Sequence, residues 1–575
     1  MRGGTVRGTN WFSSKAFAIL LVSGSLASVQ AAVQTPPRAG QNAPSVCNVR
    51  DYGAVGDDKT LDTLAISKAI EACAQAGGGV VVFPPGRYVS GTFELRSNIT
   101  LSLEAGAVIV GSRNLEDYGG IADYGFGRDY GVNSTGEGFK VGIIVARNLK
   151  NVAIVGRGAI DGGGDGFMDL TVAHVSHDFD AQYTRQGKTF LDAMSDTEFG
   201  PVEPKMNGEG RPGTMVVFWK CQNALIRDVT LQNAPNWTLH FQDSQNIVMN
   251  GVHIVNSLLI PNDDGVDCIG CRNVHVSDCD IQSGDDDFAF FNSEDVNVAN
   301  CSFVSRSSAI RLENMRYSTF QNLSIHSNRG IGIYHRAGEL TEDVLFSDIA
   351  IETKLITGHW WGKAKPIYIA VSPAKPGQAP GYLRDLRFSN IMGTAESGIV
   401  IYGSKDGVVK GLHFDHIKLR IIAPPAKISE SVGGTFDLRW TATSLSNAIF
   451  KHNIPGMYCQ YVEGLRIHDF ELEWGEGLPP YFSNGIECEN FRDLDIDGFS
   501  GRQARASSQD AVIVLKRGPG VTIRNSTATE GTVTFLSLSG VRQERLFVNN
   551  DLGAAKRAMR PTKSGFKIHG NILPH

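Results

Sequence analysis

Asn223-ALIRDVTL, Asn246-IVMNGVHI, Asn273-VHVSDCDI, Asp295-VNVANCSF, Tyr317-STFQNLSI and Asp343-VLFSDIAI repeat one nine-residue phrase. Each runs from a polar residue through alternating apolar positions to a buried-type residue and a second short apolar step. The starts lie 23, 27, 22, 22 and 26 residues apart. Period-two alternation marks each phrase as strand. The gaps are too short for a crossover helix, which leaves antiparallel hairpins or a coiled solenoid. Further copies start at Asn151, Asp385, Gly411, Gly464, Asp493 and Gly520. A constant phase over so many copies selects the solenoid, an all-β parallel β-helix whose coils hydrogen-bond to one another. The seventh position reads Val229, Val252, Cys279, Cys301, Leu323 and Ile349, an inward apolar ladder in which the cysteines act as small hydrophobes.

Working outward, Thr60-LDTLAISKAIEACAQAGGG predicts a short capping helix, with Asp62 as N-cap and Leu64, Ile66, Ala69, Ile70 and Cys73 mostly on one side. A cap protects the end of a β-helix from templating aggregation. Irregular segments near 112–147, 165–213, 353–365 and 421–458 read as loop-outs that wall an outer groove. Ahead of the cap, Arg2, Arg7 and Lys15, the apolar run Ala16–Val22 and Val29-Gln30-Ala31 have the layout of a signal peptide. The expected organisation is therefore signal peptide 1–31, linker 32–46, cap and first coils 47–111, β-helix 112–530 and a C-terminal cap or tail 531–575. The expected destination is secreted or periplasmic, and no later segment is apolar for long enough to span a membrane.

Composition agrees. Length alone would suggest several domains, but a solenoid lengthens along one axis. Glycine, 65 residues in 575 or about 11% against a usual ~7%, suits many tight turns. A net charge of −6 without a basic stripe excludes a nucleic-acid partner. Nine cysteines in so long a chain are not a disulfide framework; the Cys268/Cys271 pair lacks zinc-finger partners, and a Cys47–Cys73 pairing is left open.

One stretch differs chemically. Pro261-NDDGVD and Ser283-GDDDFAF crowd Asp263, Asp264, Asp267, Asp285, Asp286 and Asp287 onto two consecutive coils. Asp286 lies 13 positions after Asn273; Asp264 lies 18 after Asn246, on a coil five residues longer than the 22-residue unit. Asp264 and Asp286 therefore share a phase and stack at about the inter-strand spacing, ~4.8 Å. Neighbouring carboxyls drive their proton affinities apart, leaving one protonated and another ionised. That is equipment for glycoside hydrolysis; a calcium site or a solvated acidic turn are the alternatives.

These residues resemble glycoside hydrolase family 28, the polygalacturonases and their relatives. The resemblance opens at Val49-RDYGAVGDDKTLDT and Gly77-GGVVVFPPGRYVSGTFEL, continues through Ile154-VGRGAIDGGG and Trp237-TLHF, and spans roughly 48–420. The family's Asn-x-Asp-Gly is matched by Asn262, Asp264 and Gly265, and its Gly-Asp-Asp by Gly284, Asp285 and Asp286. The resemblance implies a right-handed parallel β-helix of the pectin lyase-like kind. It also implies an inverting mechanism in which Asp285 protonates the leaving oxygen while Asp264 and Asp286 activate water. The general rule on carboxyl separation would instead assign so close a pair to retention.

Two family motifs are absent. Arg306-Ser307-Ser308 stands for Gly-His-Gly, and Gly332-Ile333-Tyr334 for Arg-Ile-Lys. Losing those cations points away from plain polygalacturonate toward a rhamnogalacturonan-like or decorated pectic polymer. Other groups can contact such a substrate: Asn262, Arg306, Arg311, Glu313, Tyr334 and Arg336, then His359, Trp360, Trp361 and Lys363 in Thr357-GHWWGKAKPIYI. Arg316, Arg329 and His335 lie nearby, and His240 reads as a strand spacer. The expected protein is a monomeric hydrolase of an acidic polysaccharide, without cofactor. Its rivals are a lyase or epimerase, with calcium in the aspartate cluster and Arg306 or Arg311 as base, and a non-catalytic glycan binder.

Overall fold

The computed structural model describes residues 45–120, 140–174, 181–194, 200, 202–205, 210–335, 338–358, 362–373, 377–438, 449–506, 508–560 and 566–574. The signal peptide and most of the linker expected from the sequence lie outside these residues. All described residues belong to one unit that begins at residue 44.

The repeated phrase forms stacked parallel strands. Ala224, Ile247, Val274 and Val296 are register partners along one ladder. Val216, Leu239, Val266 and Phe288 align along a second, and Ile160, Leu231, Ile254, Ile281 and Phe303 along a third. Each coil thus contributes to three parallel sheets that enclose the core, and successive parallel connections take the right-handed sense. The seventh-position residues Val229, Val252, Cys279, Cys301, Leu323 and Ile349 are all buried. Beside them Phe320, Phe346, Phe388 and Phe414 stack face to face, with centroids 5.0, 4.9 and 4.9 Å apart.

The polar residue that opens each phrase has a backbone reason. Asn223, Asn246, Asn273, Asp295, Tyr317 and Asp343 have φ between 51° and 60°, the left-handed region that Asn and Asp tolerate best among residues with a side chain. Five residues on, Asp228, Gly251, Asp278, Asn300, Asn322 and Asp348 do the same, at 53–62°. These corners turn the chain between sheets. The asparagines also bond from coil to coil: Asn273 Nδ2 donates to Asn246 Oδ1 (2.8 Å), Asn246 to Asn223 (3.0 Å) and Asn223 to Asn151 (2.9 Å).

The capping helix spans Thr63–Gln75 and buries Ile66, Ala69, Ile70 and Cys73. Two details differ from expectation. Leu64 is 66% exposed, because it lies two residues, about 200° of helical turn, from Ile66. Asp62 holds the N-cap position without capping; its carboxylate accepts from Val55 N (2.8 Å) and Gly56 N (3.0 Å) instead. Gly79 could be no other residue, since a Cβ there would lie 2.1 Å from Ser45 O.

Both outer boundaries shift. The first strand, Ser45–Asn48, already pairs with Gly79–Val82, so coils begin inside the expected linker. At the other end Thr534 pairs with Arg557, and Leu546–Val548 with Lys567–His569. The ladders therefore continue through Thr534–Ser539, Arg542–Val548, Arg557–Arg560 and Lys567–His569, inside the stretch expected as a cap or tail. All nine cysteines are buried and free, Cys47 and Cys73 included.

The loop-outs carry antiparallel pairs off the solenoid, Met168–Ala173 with Val202–Pro204 and Thr435–Asp437 with Ile449–Lys451. Two of them touch, Gln186 Nε2 donating to Gly433 O (2.8 Å) and Arg185 Nη2 to Asn453 Oδ1 (2.7 Å). Phe388→Ala removes the ring shared by two stacked pairs and is expected to cost about 3–5 kcal/mol. A lowered urea midpoint checks this.

Candidate active site

The site forms where two coils leave one sheet and enter the next. Backbone bonds fix it: Gly265 N donates to Asp286 O (2.9 Å), Val266 N to Asp287 O (2.9 Å) and Asp287 N to Ser308 O (2.9 Å). With Val266 in register opposite Phe288, Asp264 falls beside Asp286, as their shared phase predicts. One carboxylate oxygen from each of Asp264, Asp285 and Asp286 lies within 4.8 Å of the others, and all three residues are buried.

The neighbouring aspartates hold this trio. Asp263 Oδ1 accepts from Gly284 N (2.7 Å) and Asp285 N (3.2 Å), clamping the turn that presents the next two carboxyls. Asp287 accepts from Ser283 Oγ (2.7 Å). Asn262, in the left-handed region at φ 57°, directs its N and Nδ2 at Asp285 Oδ2 (3.3 and 3.4 Å). Behind it lies Arg211, fully buried, bonding to Pro235 O, Pro261 O and Asn262 Oδ1 (2.8, 2.6 and 3.4 Å).

Burial and mutual repulsion decide the protonation. Burial first, then the charge of Asp286, pushes Asp285 from 3.8 to about 6. Asp264 goes up strongly, through burial and then through Asp267, Asp285 and Asp286. Burial also raises Asp267, whose two oxygens have no hydrogen-bond partner among the described residues. The only guanidinium that reaches an oxygen of the trio, among the described residues, is that of Arg311. Its Nη1 lies 3.4 Å from Asp286 Oδ2 and its Nη2 2.9 Å from Glu313 Oε1. The trio could gather a divalent cation, but calcium takes six to eight oxygens, and Arg311 already occupies Asp286 Oδ2. The donor set therefore fits acid–base work better than a cation.

The expected substrate-contact residues divide. Arg311 bonds to both Glu313 and Asp286, so these two side chains are spent on each other and on the trio. Tyr334 is 1% exposed and lies under Arg311 and Arg329, 5.5 and 5.0 Å from ring centroid to guanidinium; it too is a packed residue. Lys363 is 3% exposed, with Nζ 5.1 Å from the Phe190 ring centroid, and is turned into the loop-outs rather than toward a groove. Arg316 pairs with Glu294 (2.6 Å), Arg329 Nε bonds to Ser308 Oγ (2.9 Å) and His335 Nε2 meets Thr341 Oγ1 (2.6 Å). Arg306 remains: half-buried, without an acidic partner among the described residues, one position beyond the Ser283–Ser305 register pair and so beside Gly284. Arg336, His359, Trp360 and Trp361 lie outside the described residues. His240 is buried edge-on to Trp237 (5.3 Å), and burial lowers it to about 4, which suits a neutral spacer.

Sequence reasoning missed Arg211, which sits in a loop-out with no periodicity to mark it. It also missed the clamp at Asp263, although that residue stood among the six aspartates. Ser307, in the place of a histidine, contacts Asp286 Oδ1 at 3.4 Å.

Known proteins resemble parts of the chain. Residues 130–306, which contain the trio, match the family described as glycosyl hydrolases family 28. Residues 46–183 match the one described as rhamnogalacturonase A/epimerase, pectate lyase-like. An exo-poly-alpha-D-galacturonosidase of Dickeya chrysanthemi is 31% identical over 43% of this chain and 42% of its own length. A probable polygalacturonase of Vitis vinifera is 30% identical over 41% and 42%. The chain thus spans about two fifths of these relatives. Among solved structures, a polygalacturonase of Erwinia carotovora ssp. carotovora is 19% identical over 68% of this chain and 96% of its own, with a TM-score of 0.48.

The raised Asp285 has a consequence for stability. A carboxyl that binds its proton more tightly when folded stabilises the fold fully below pH 3.8 and loses that contribution as the pH rises through about 6. Asp285→Asn cannot ionise. It is expected to exceed wild type near pH 8 by up to about 3 kcal/mol, with the advantage gone near pH 3.5, as thermal melts at the two pH values would show.

Proposed function

We propose that the chain, whose residues 130–306 match glycosyl hydrolases family 28, hydrolyses the glycosidic bonds of a pectic, acidic polysaccharide. The observation that carries the reading is the trio itself: three buried carboxyls within 4.8 Å, one of them protonated up to about pH 6. Asp285 gives its proton to the leaving glycosidic oxygen as the C–O bond breaks. A water held between Asp264 and Asp286 attacks the anomeric carbon and yields a proton to that pair. Asp264, raised by burial, orients the water. No cofactor takes part.

Arg306 supports the acidic substrate. A half-buried guanidinium with no acidic partner among the described residues is costly, and burial lowers its proton affinity; a sugar carboxylate would complete it through a two-pronged bond. It takes over the task of the absent His, Arg and Lys, which favours rhamnogalacturonan-like or decorated polymers. We further propose export directed by residues 1–31 and action as a monomer.

The test is a panel of pectic polymers, with and without EDTA. New reducing ends without ultraviolet absorbance are expected; an unsaturated product that EDTA abolishes would mean a lyase. Asp285→Asn should lower kcat by roughly 10²- to 10⁴-fold, and unchanged turnover refutes the acid. The first anomer seen by proton NMR should be inverted; retention would replace single displacement by a covalent intermediate. Arg306→Gln should raise KM roughly 10- to 100-fold with kcat little altered.

A further inference from the structure

Arg311 takes no part in the proposed chemistry, yet it is the cation most tightly built into the site. Its guanidinium lies over the faces of Phe291 and Tyr334, at 5.0 and 5.5 Å from the ring centroids. Its two terminal nitrogens are divided between Asp286 Oδ2 (3.4 Å) and Glu313 Oε1 (2.9 Å). The Asp286 and Glu313 side chains are 3% and 5% exposed, and that of Arg311 21%. An arginine over two ring faces is held by cation–π attraction to both, and its planar fork aims each terminal nitrogen at one carboxylate.

The surroundings of Asp286 show what this cation opposes. From the preceding coil Asp264 and Asp267 face it, and from its own coil Asp285 and Asp287. The next coil supplies the Ser307 hydroxyl beside Arg311 and Glu313. One coil further on, Arg329 is turned to Ser308, and Tyr334 faces Asp286. Burial and negative neighbours raise Asp264, Asp267, Asp285 and Asp287, and Arg311 alone reaches a carboxylate oxygen of the trio from the positive side among the described residues.

Building on the hydrolytic reading, we propose that Arg311, held by Glu313, Phe291 and Tyr334, is a positioning residue that keeps the negative charge of the water-activating pair on Asp286. It does so from the coil that lacks the family's histidine. Glu313 orients the guanidinium, and the rings fix its plane.

The test compares wild type with Arg311→Lys, Arg311→Gln and Glu313→Gln by the pH dependence of kcat/KM on a pectic polymer. Arg311→Gln should displace both limbs of the profile to higher pH, because Arg311 also opposes proton binding at Asp285. At the acid end kcat/KM should fall roughly tenfold or more relative to the alkaline end. Arg311→Lys should restore much of the profile, and Glu313→Gln should fall between. A loss that is uniform across pH, with limbs unmoved, would mean a merely structural arginine and overturn the proposal. A second measurement needs no turnover: at neutral pH Arg311→Gln should lower the melting temperature, and adding Asp286→Asn should recover part of that loss. Strictly additive losses would overturn the pairing even if no substrate were cleaved. Hydrolysis absent from wild type, with the cycle still coupled, would instead overturn the hydrolytic reading alone.

Discussion

Coil-to-coil hydrogen bonding is the constraint on which everything else rests. Once Val266 is bonded opposite Phe288, every residue of one coil has its neighbour chosen on the next. The left-handed corners enforce this, because Asn246, Asn273 and Asp295 turn the chain at the same phase at φ 55–57°. A solenoid so locked stacks like on like. It builds stacked phenylalanines and an asparagine ladder where those residues recur, and it builds a carboxylate pile where aspartates recur.

The same constraint explains what was legible in the sequence. Strand alternation, the inward seventh position and the Asp264–Asp286 stack all depend on phase alone, and phase can be counted. Leu64 departs because the buried helix face is narrower than the run of apolar residues. The boundary at 530 is invisible because the last coils, Thr534–Ser539 and Arg542–Val548 among them, carry the ladder without the phrase's usual lettering. The arginines are the clearest case. Arg306 and Arg311 are alike in one-dimensional sequence and lie on one strand, Phe288–His335. One ends beside Gly284 with no acidic partner among the described residues, the other over two ring faces against Asp286 and Glu313. Side-chain direction is set by three-dimensional packing, which period-two counting does not reach.

Crowding six aspartates would unfold many scaffolds, and surface ion pairs could not offset it, since each contributes little. The restraint here is main-chain. Asp263 takes the N–H groups of Gly284 and Asp285, and the carbonyls of Asp286, Asp287 and Ser308 are all spent on inter-coil bonds. The strands cannot part to relieve the repulsion, so the repulsion is relieved by protons instead. That makes the acid a product of the fold's rigidity. Asp285 keeps its proton to about pH 6 because it is buried beside another charge that the ladder will not release. A more yielding scaffold would separate the carboxyls, let both ionise, and leave no proton to give.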